Sequence, residues 1–404
     1  MSEVVSLESL CSGIIDCPHS TPNWKVSGIP VIRNYNLVSG RIDKTNLSYV
    51  TEEEFLLRTK RAVPEYEDII ISREAPMGVV GIVPEKFKCC LGQRLVLLKV
   101  DKEKCYPKFL LYALMSNFVQ KQIERVNLTG SIVSNLNISS LKDLQINLVT
   151  YSQQVDIANC LDLLDQKIAL NNQINEELEA MAKTLYDYWF VQFDFPDENG
   201  KPYKSSGGKM VYNDQLKREI PEGWGVKQLG EISICHDSRR VPLSSKDREN
   251  KNGIIPYYGA TGIMDYIDDF IFEGDYILMA EDGSVMTSEG KPILQRITGK
   301  TWVNNHAHVL EPTNEYSCKL LLLSLKDISV LQIKTGSIQM KITQENMNKI
   351  LLPDIGKDLL SKINEVLLPI DEKQLKLLKQ NQELTQLRDW LLPMLMNGQV
   401  KVEE

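Results

Sequence analysis

Leu161 to Leu185 reads LDLLDQKIALNNQINEELEAMAKTL, and Leu367 to Leu391 reads LLPIDEKQLKLLKQNQELTQLRDWL. In the first stretch Leu161, Leu164, Ile168, Asn171, Asn175, Leu178, Ala182 and Leu185 step by three and four. That is the spacing of a heptad seam on one face of a helix. Moving 206 residues along lands on Leu367, Ile370, Gln374, Leu377, Asn381, Leu384, Arg388 and Leu391, a second seam in the same register. Asn175 falls on Asn381, and a polar residue inside a seam can fix register and partner at some cost in stability. Unrelated amphipathic helices would not share a register at one offset, so the pattern predicts that the two helices pack on each other. Pro369 stands where the first stretch has Leu163 and is expected to kink or break the second helix.

The same offset recurs outside the helices. Thr129-Gly130-Ser131-Ile132 returns as Thr335-Gly336-Ser337-Ile338, 206 residues on. Asp68-Ile69-Ile70-Ile71 answers Asp275-Tyr276-Ile277-Leu278, and Ile29-Pro30 answers Ile255-Pro256. The chain is a two-fold repeat, each half a globular unit followed by a long helix. A helix from about Gln153 to Tyr188 spans about 50 Å at 1.5 Å per residue. If the helices pair antiparallel, the units sit at opposite ends of a rod.

The globular halves read as mixed α/β. Strand-like runs are Ile29–Arg33, Asp68–Ser72, Val79–Val83 and Arg94–Val100, with a helix opened by Pro107. In the second half they are Ile254–Tyr258, Asp275–Ala280, Pro292–Thr298 and Trp302–Glu311, with a helix around Ser317–Asp327. Phe195–Met210, rich in Pro, Gly, Ser and Lys, reads as a surface linker.

Composition narrows the class. The chain has 404 residues, 43% of them hydrophobic and 25% charged, which fits a globular protein of two to three domains. No run of 18 apolar residues and no signal-peptide pattern occurs, so a cytoplasmic protein without a membrane span is expected. Eight cysteines without a CxxC pair suit free thiols in a reducing compartment. The net charge of −8 argues against a strongly basic nucleic-acid binder. Its distribution weakens that objection: residues 1–150 carry +2, 151–195 carry −6, and 196–350 and 351–404 carry −2 each.

Motifs for catalysis fail. Gly283 to Lys291 has the wrong spacing for a phosphate loop, and Pro292 replaces the Mg²⁺-binding hydroxyl. No GxGxxG follows a strand, and no adenine-methyltransferase string is present. Asp275 with Glu289 and Lys291 can be forced into a nuclease-like set, but a hairpin loop explains them better. His306 and His308 alternate on an expected strand and so face one side, too few for zinc without a third ligand. No metal site and no catalytic residue are expected in this chain.

What remains is a binding surface on the strand-edge loops, rich in residues that read bases or hold phosphates. In the first half these are Arg33, Asn34, Arg73, Gln93, Arg94, Ser131, Ser134 and Asn135. In the second they are Arg239, Arg240, Lys246, Arg248, Tyr257, Thr261, Asn304, Asn305, His306, Ser337, Gln339 and Lys341.

Longer strings resemble a known family. Leu185-Tyr186-Asp187-Tyr188-Trp189-Phe190-Val191-Gln192-Phe193-Asp194-Phe195-Pro196 and the stretch Gly200 to Met210 are similar to sequences of the specificity (S) subunits of Type I restriction-modification enzymes. Ile220-Pro221-Glu222-Gly223-Trp224 with Leu229-Gly230-Glu231 resembles the entry to a target-recognition domain, and Asp282-Gly283-Ser284 through Trp302 to Leu310 resembles its core. The likeness covers essentially the whole chain and is densest over 150–231 and 275–400.

The resemblance implies a mixed α+β fold with an internal pseudo-two-fold repeat. It divides into target-recognition domain 1 (1–150), a central long helix (151–195), a linker and target-recognition domain 2 (196–350), and a C-terminal long helix (351–404). The helices would form an antiparallel coiled coil that spaces two half-sites of double-stranded DNA. Two modification subunits would bring S-adenosylmethionine, and restriction subunits ATP and Mg²⁺. The chain itself would hold no cofactor and catalyse nothing. Gly92-Gln93-Arg94 stands where the second half has Asn305-His306-Ala307, so the halves are expected to read different sequences. A coiled-coil interaction scaffold, and a methyltransferase or nuclease acting alone, are the alternatives.

Overall fold

The computed structural model describes all residues except 1–2, 129–134, 314, 337–339, 401 and 403–404. It divides into two compact units, Met1–Asn171 with Lys379–Glu404, and Asn172–Leu378. Each unit takes one globular half and a piece of both long helices. The cuts at 171/172 and 378/379 lie 207 residues apart, one more than the repeat offset.

The first long helix is Tyr151–Tyr186, extended by a π turn at Asp187–Val191; the second is Lys357–Met396. Both long patterns are thus single helices. Every seam position from Leu161 to Leu185 and from Leu367 to Leu391 is buried or half-buried, while Leu163, Gln166, Lys167 and Leu170 face solvent. Within the first unit Arg388 pairs with Asp165 at 2.9 Å and Asn171 donates to Asn381 at 2.8 Å. Numbers fall along one helix as they rise along the other, so the two run antiparallel there. In the second unit Gln374 donates to the Asn175 carbonyl at 3.1 Å, in the same sense.

Pro369 does not end the helix. It lies on the exposed side with Glu365, whose carbonyl loses the proline's missing N–H. A carbonyl on that side can bond water instead, so the helix runs through.

In the first unit Glu3–Ser6 pairs antiparallel with Gln145–Leu148. A four-stranded sheet follows in the order Cys11–Asp16, Leu95–Val100, Ile69–Ser72, Val80–Ile82. A three-stranded sheet joins Ser48–Val50, Ile29–Ile32 and Cys90–Leu91, the last pair parallel. Pro107–Met115 packs Phe109, Leu110 and Leu114 into the core with Leu161 of the first long helix and Leu395 of the second. Each such fully buried side chain contributes about 1.5–3 kcal/mol.

The second unit repeats this plan with one change. Gly225–Gln228 pairs with Leu351–Asp354, and one six-stranded sheet runs Ser233–Cys235, Ala307–Pro312, Phe272–Ala280, Leu294–Val303, Asn252–Tyr258, Ile263–Ile267. Leu294–Val303 serves both neighbours, whereas its counterparts Val80–Ile82 and Cys90–Leu91 are separate strands. The expected break between Pro292–Thr298 and Trp302–Glu311 is therefore misplaced. Gly299 pairs opposite Gly274 and continues the strand, and the turn falls at Asn304–His306.

Phe195–Met210 is more than a linker. Phe195 stacks between Tyr203 and Trp224, with ring centroids 4.8 and 5.3 Å away, and Ser205 donates to Asp194 through both its N–H (2.7 Å) and its hydroxyl (2.6 Å). All eight cysteines are free. Burial pushes the Cys89 thiol up to about 12 and Cys90 up to about 11, so neither forms a thiolate near neutrality. Among the described residues no helix is long and apolar enough to cross a membrane.

Candidate nucleic-acid interface

In the first unit three of the residues expected on the loops, Asn34, Arg94 and Asn135, come together at Glu74. The strand Ile69–Ser72 ends into Arg73-Glu74, and Leu95–Val100 begins after Arg94. Glu74 takes Arg94 Nε at 3.1 Å and the Asn135 amide at 2.9 Å, and Asn34 donates to its backbone carbonyl. Arg94 stands at φ +68°, a left-handed conformation uncommon for a side-chain-bearing residue. Gln93 donates to the His19 carbonyl at 2.6 Å. Arg33 is exposed, its guanidinium 5.2 Å from the Trp24 ring and 4.9 Å from Tyr35. Ser131 and Ser134 lie outside the described residues.

Arg73 is different. It reaches both oxygens of Asp16 at 2.9 and 2.8 Å, the Leu136 carbonyl at 2.9 Å and Asn135 at 3.2 Å, with its side chain 11% exposed. It holds three segments of the unit together and has little left to offer a ligand.

The second unit builds a like cluster. His306 Nδ1 lies 2.7 Å from Asp282, and Lys341 lies 3.0 Å from Glu281. Lys246, Thr261 and Asn305 are exposed. Arg239 lies over Phe272 at 4.6 Å and donates to the Ile271 carbonyl at 2.8 Å. Arg248 pairs with Asp265 at 3.0 Å. Ser337 and Gln339 lie outside the described residues.

Three expectations in this unit need correction. Tyr257 is buried, its ring filling the core and its hydroxyl accepting the Leu243 N–H at 3.0 Å. Asn304 is buried and shapes the turn by accepting the His306 N–H at 2.8 Å. Arg240 pairs with Glu281 at 2.6 Å and Asp237 at 3.2 Å beneath the surface. All three serve the fold, because each meets its polar demands inside the unit.

His306 and His308 do not share a face. His306 sits in the turn before Ala307–Pro312, whereas His308 is buried, with Nδ1 2.5 Å from Asp237 and Nε2 donating to the Ile342 carbonyl at 2.8 Å. Cys235, Asp237 and His308 have the donor types of a metal site and lie within 4.8 Å of one another. Arg240 already supplies the positive charge there, and both His308 ring nitrogens face oxygen atoms, so the group is a structural network. Burial alone would push the Asp237 carboxyl up, but His308 and Arg240 more than offset it and hold it below the usual carboxylate range. Glu281 is held low in the same way, against burial, by Arg240, Lys341 and His308. Burial also pushes the Cys235 thiol up to about 12.

Backbone bonds align the two clusters. Arg73 N–H donates to the Arg94 carbonyl at 2.8 Å, and Glu281 N–H to the His306 carbonyl at 2.9 Å. Leu136 N–H donates to Arg73 at 2.9 Å, and Ile342 N–H to Glu281 at 2.8 Å. Gly92 N–H donates to Ile32 at 2.8 Å, and Asn304 N–H to Tyr258 at 3.1 Å. Gly92-Gln93-Arg94 therefore matches Asn304-Asn305-His306, one residue earlier than the sequence comparison placed it. By the same register Asp16 matches Asp237, Glu74 matches Asp282, and Asn135 matches Lys341. Sequence reasoning missed Asp16, Glu74, Asp237, Glu281 and Asp282. The available signal was an acidic residue at the end of the repeated strand in both halves.

Two like units, each presenting a turn-borne polar cluster beside paired long helices, define a class of two-module recognition proteins. Residues 2–180 and 221–386 match the Type I restriction modification DNA specificity domain, and the chain belongs to that family. It is 28% identical over 355 residues to the specificity subunit of the Type I restriction enzyme MjaIX of Methanocaldococcus jannaschii, covering 83% of this chain and 78% of that one. It is 24% identical over 377 residues to the specificity subunit of the HindI enzyme of Haemophilus influenzae, covering 77% and 81%. Its fold is similar to that of the Type I restriction-modification S subunit from M. genitalium, with a TM-score of 0.52 at 20% identity over 98% of this chain and 96% of that chain.

Proposed function

We propose that this specificity subunit reads a bipartite double-stranded DNA site, one half-site per recognition unit, and that it does so without catalysing a reaction. The observation that carries this is the pair of clusters. Equivalent turn positions bear different side chains, Glu74, Arg94 and Asn135 in one unit and Asp282, His306 and Lys341 in the other. A shared scaffold with exchanged polar groups is what reading two different half-sites requires. The paired helices set the spacing between half-sites and offer modification subunits a surface to dock on. Those partners carry S-adenosylmethionine, and restriction subunits carry ATP and Mg²⁺. The near-neutral recognition units neutralise few phosphates alone, so tight binding belongs to the assembled complex.

The test is to assemble the chain with its modification subunits and sequence the methylated adenines. A two-part motif is expected. Inserting one heptad into both long helices should lengthen the spacer and leave each half-site unchanged. If the insertion variant still methylates the original spacing, the helices are not the ruler. If the isolated chain methylates or cuts DNA, the non-catalytic assignment fails.

A further inference from the structure

We infer that Glu74 with Arg94, and Asp282 with His306, are the counterpart specificity-determining pairs of the two units, each reading a G·C base pair from its major-groove edge. This rests on the DNA-reading role proposed above and says which groups do the reading and what they read.

The two pairs occupy the same place in the repeat. In each unit the acid stands two residues past the end of a central strand, at Ser72 or Ala280, and the basic residue stands one residue before the strand that pairs with it, beginning at Leu95 or Ala307. The contacts measure 3.1 Å for Glu74–Arg94 and 2.7 Å for Asp282–His306. Both bases keep a free, solvent-facing side: the Arg94 side chain is 57% exposed and that of His306 47%. The neighbouring pairs Asp16–Arg73 and Asp237–Arg240 are buried by comparison and hold the turns from beneath.

The charge of such a pair selects its target. Arg94 beside Glu74 carries little net charge, and in both pairs the carboxylate repels phosphate, so neither is built to grip the DNA backbone. A base edge is neutral and offers donors and acceptors side by side. The major-groove edge of G·C presents the guanine N7 and O6 acceptors next to the cytosine N4 amino donor. Arg94 has guanidinium N–H groups to give to N7 and O6, and Glu74 can accept from N4. His306 meets Asp282 through Nδ1; in its imidazolium form its Nε2–H can give to one guanine acceptor while Asp282 accepts from N4. Arg94 can engage both guanine acceptors and His306 only one. The first unit should therefore discriminate more strongly at this position.

The experiment uses the complex of this chain with its modification subunits, methylating duplexes in which every position of the wild-type motif is varied. Variants are Glu74→Gln and Arg94→Gly in one unit, and Asp282→Asn and His306→Ala in the other. Glycine suits the left-handed backbone at 94 and leaves the turn unstrained. Both variants of a pair should relax the same single G·C position of one half-site. Discrimination there should fall roughly tenfold to a hundredfold, the worth of one good bidentate contact. The other half-site and the salt dependence of binding should stay as in the wild type. Retention of the full motif by both variants of a pair overturns the inference. So does a sequence-independent loss with a salt slope shallower by about one, which marks a phosphate contact. So does relaxation at an A·T position. Where one variant does not assemble, the other member of its pair reports on the same position. A wild-type complex that methylates no two-part site would instead sink the functional reading beneath.

Discussion

The buried layer under each turn has the same geometry and opposite chemistry. In the first unit the strand-exit position holds a cation, Arg73, which reaches Asp16 on a neighbouring strand. In the second the matching position holds an acid, Glu281, and the cation comes from Arg240, three residues past Asp237. One ion pair in the first unit becomes a network of Asp237, Glu281, Arg240, His308 and Lys341 in the second. The repeat fixes where backbone segments meet, and each half satisfies the charges there in its own way. A module of this kind can change what it presents above without rebuilding what lies below.

The difference predicts unequal sensitivity. Arg240→Ala leaves Asp237 and Glu281 buried together without their guanidinium and should destabilise the second unit by about 3–5 kcal/mol. Arg73→Ala leaves only Asp16, whose side chain is 19% exposed and can be hydrated, so the first unit should lose less. Hydrogen exchange resolved by unit measures both, and equal losses would break the comparison. Acid should act in the same direction. A carboxyl held below its unfolded value stabilises the fold above that value and ceases to as pH falls through the native one. Asp237 and Glu281 are both held low. The second unit should therefore begin to lose protection below about pH 4, near the unfolded carboxylate values. In the first unit burial pushes Asp68 up despite Lys99, so its contribution fades as pH rises and does not add to acid lability. First-unit protection lost before second-unit protection would contradict this.

The next contrast is between the helices. Leu163 and Pro369 are repeat-equivalent and both exposed. Pro369→Leu restores the missing N–H and removes the ring from a helix interior, where proline costs about 3 kcal/mol. A gain of about 1–3 kcal/mol in denaturant unfolding is expected, with no gain from Leu163→Ala beyond a few tenths. An unchanged midpoint would mean the helix is already relaxed around the proline.

These contrasts also show what the sequence could reveal. The seam was legible because a helix buries one face with a fixed period, and every seam residue from Leu161 to Leu185 and from Leu367 to Leu391 is buried or half-buried. The strands around Ile69 and Ile277 were legible because a fully buried strand is a short apolar run. Glu3–Ser6, Cys11–Asp16 and Ile263–Ile267 were not, since short or half-exposed strands carry little pattern of their own. In the candidate site, residue type found Arg94, Asn135, His306 and Lys341 but could not separate them from Arg73, Arg240, Tyr257 and Asn304. That separation depends on which side of a turn a side chain falls, which is decided by pairing across 20 to 70 residues. The one-residue error in matching Gly92 had the same origin, because that register is fixed by backbone bonds to distant residues, among them those to Ile32 and Tyr258.

The smallest contrast lies in the seam itself. In the first unit Asn171 donates to Asn381 at 2.8 Å and to Gln380 at 2.9 Å. The repeat offset puts Leu377 where Asn171 stands and Asn175 where Asn381 stands, so the second unit sets an amide against a leucine. Both side-chain polar atoms of Asn175 are buried without a partner. An unpaired buried amide costs more than a hydrogen bond returns, whereas a paired one loses its contact when truncated. Asn175→Leu should therefore stabilise the protein by about 1 kcal/mol, and Asn171→Leu should destabilise it by a similar amount. Leu377→Asn should recover part of the Asn175 cost by giving it the partner its counterpart has. Denaturant midpoints of the three variants decide the matter. If Asn171→Leu and Asn175→Leu shift stability in the same direction, the seam polarity does not distinguish the halves.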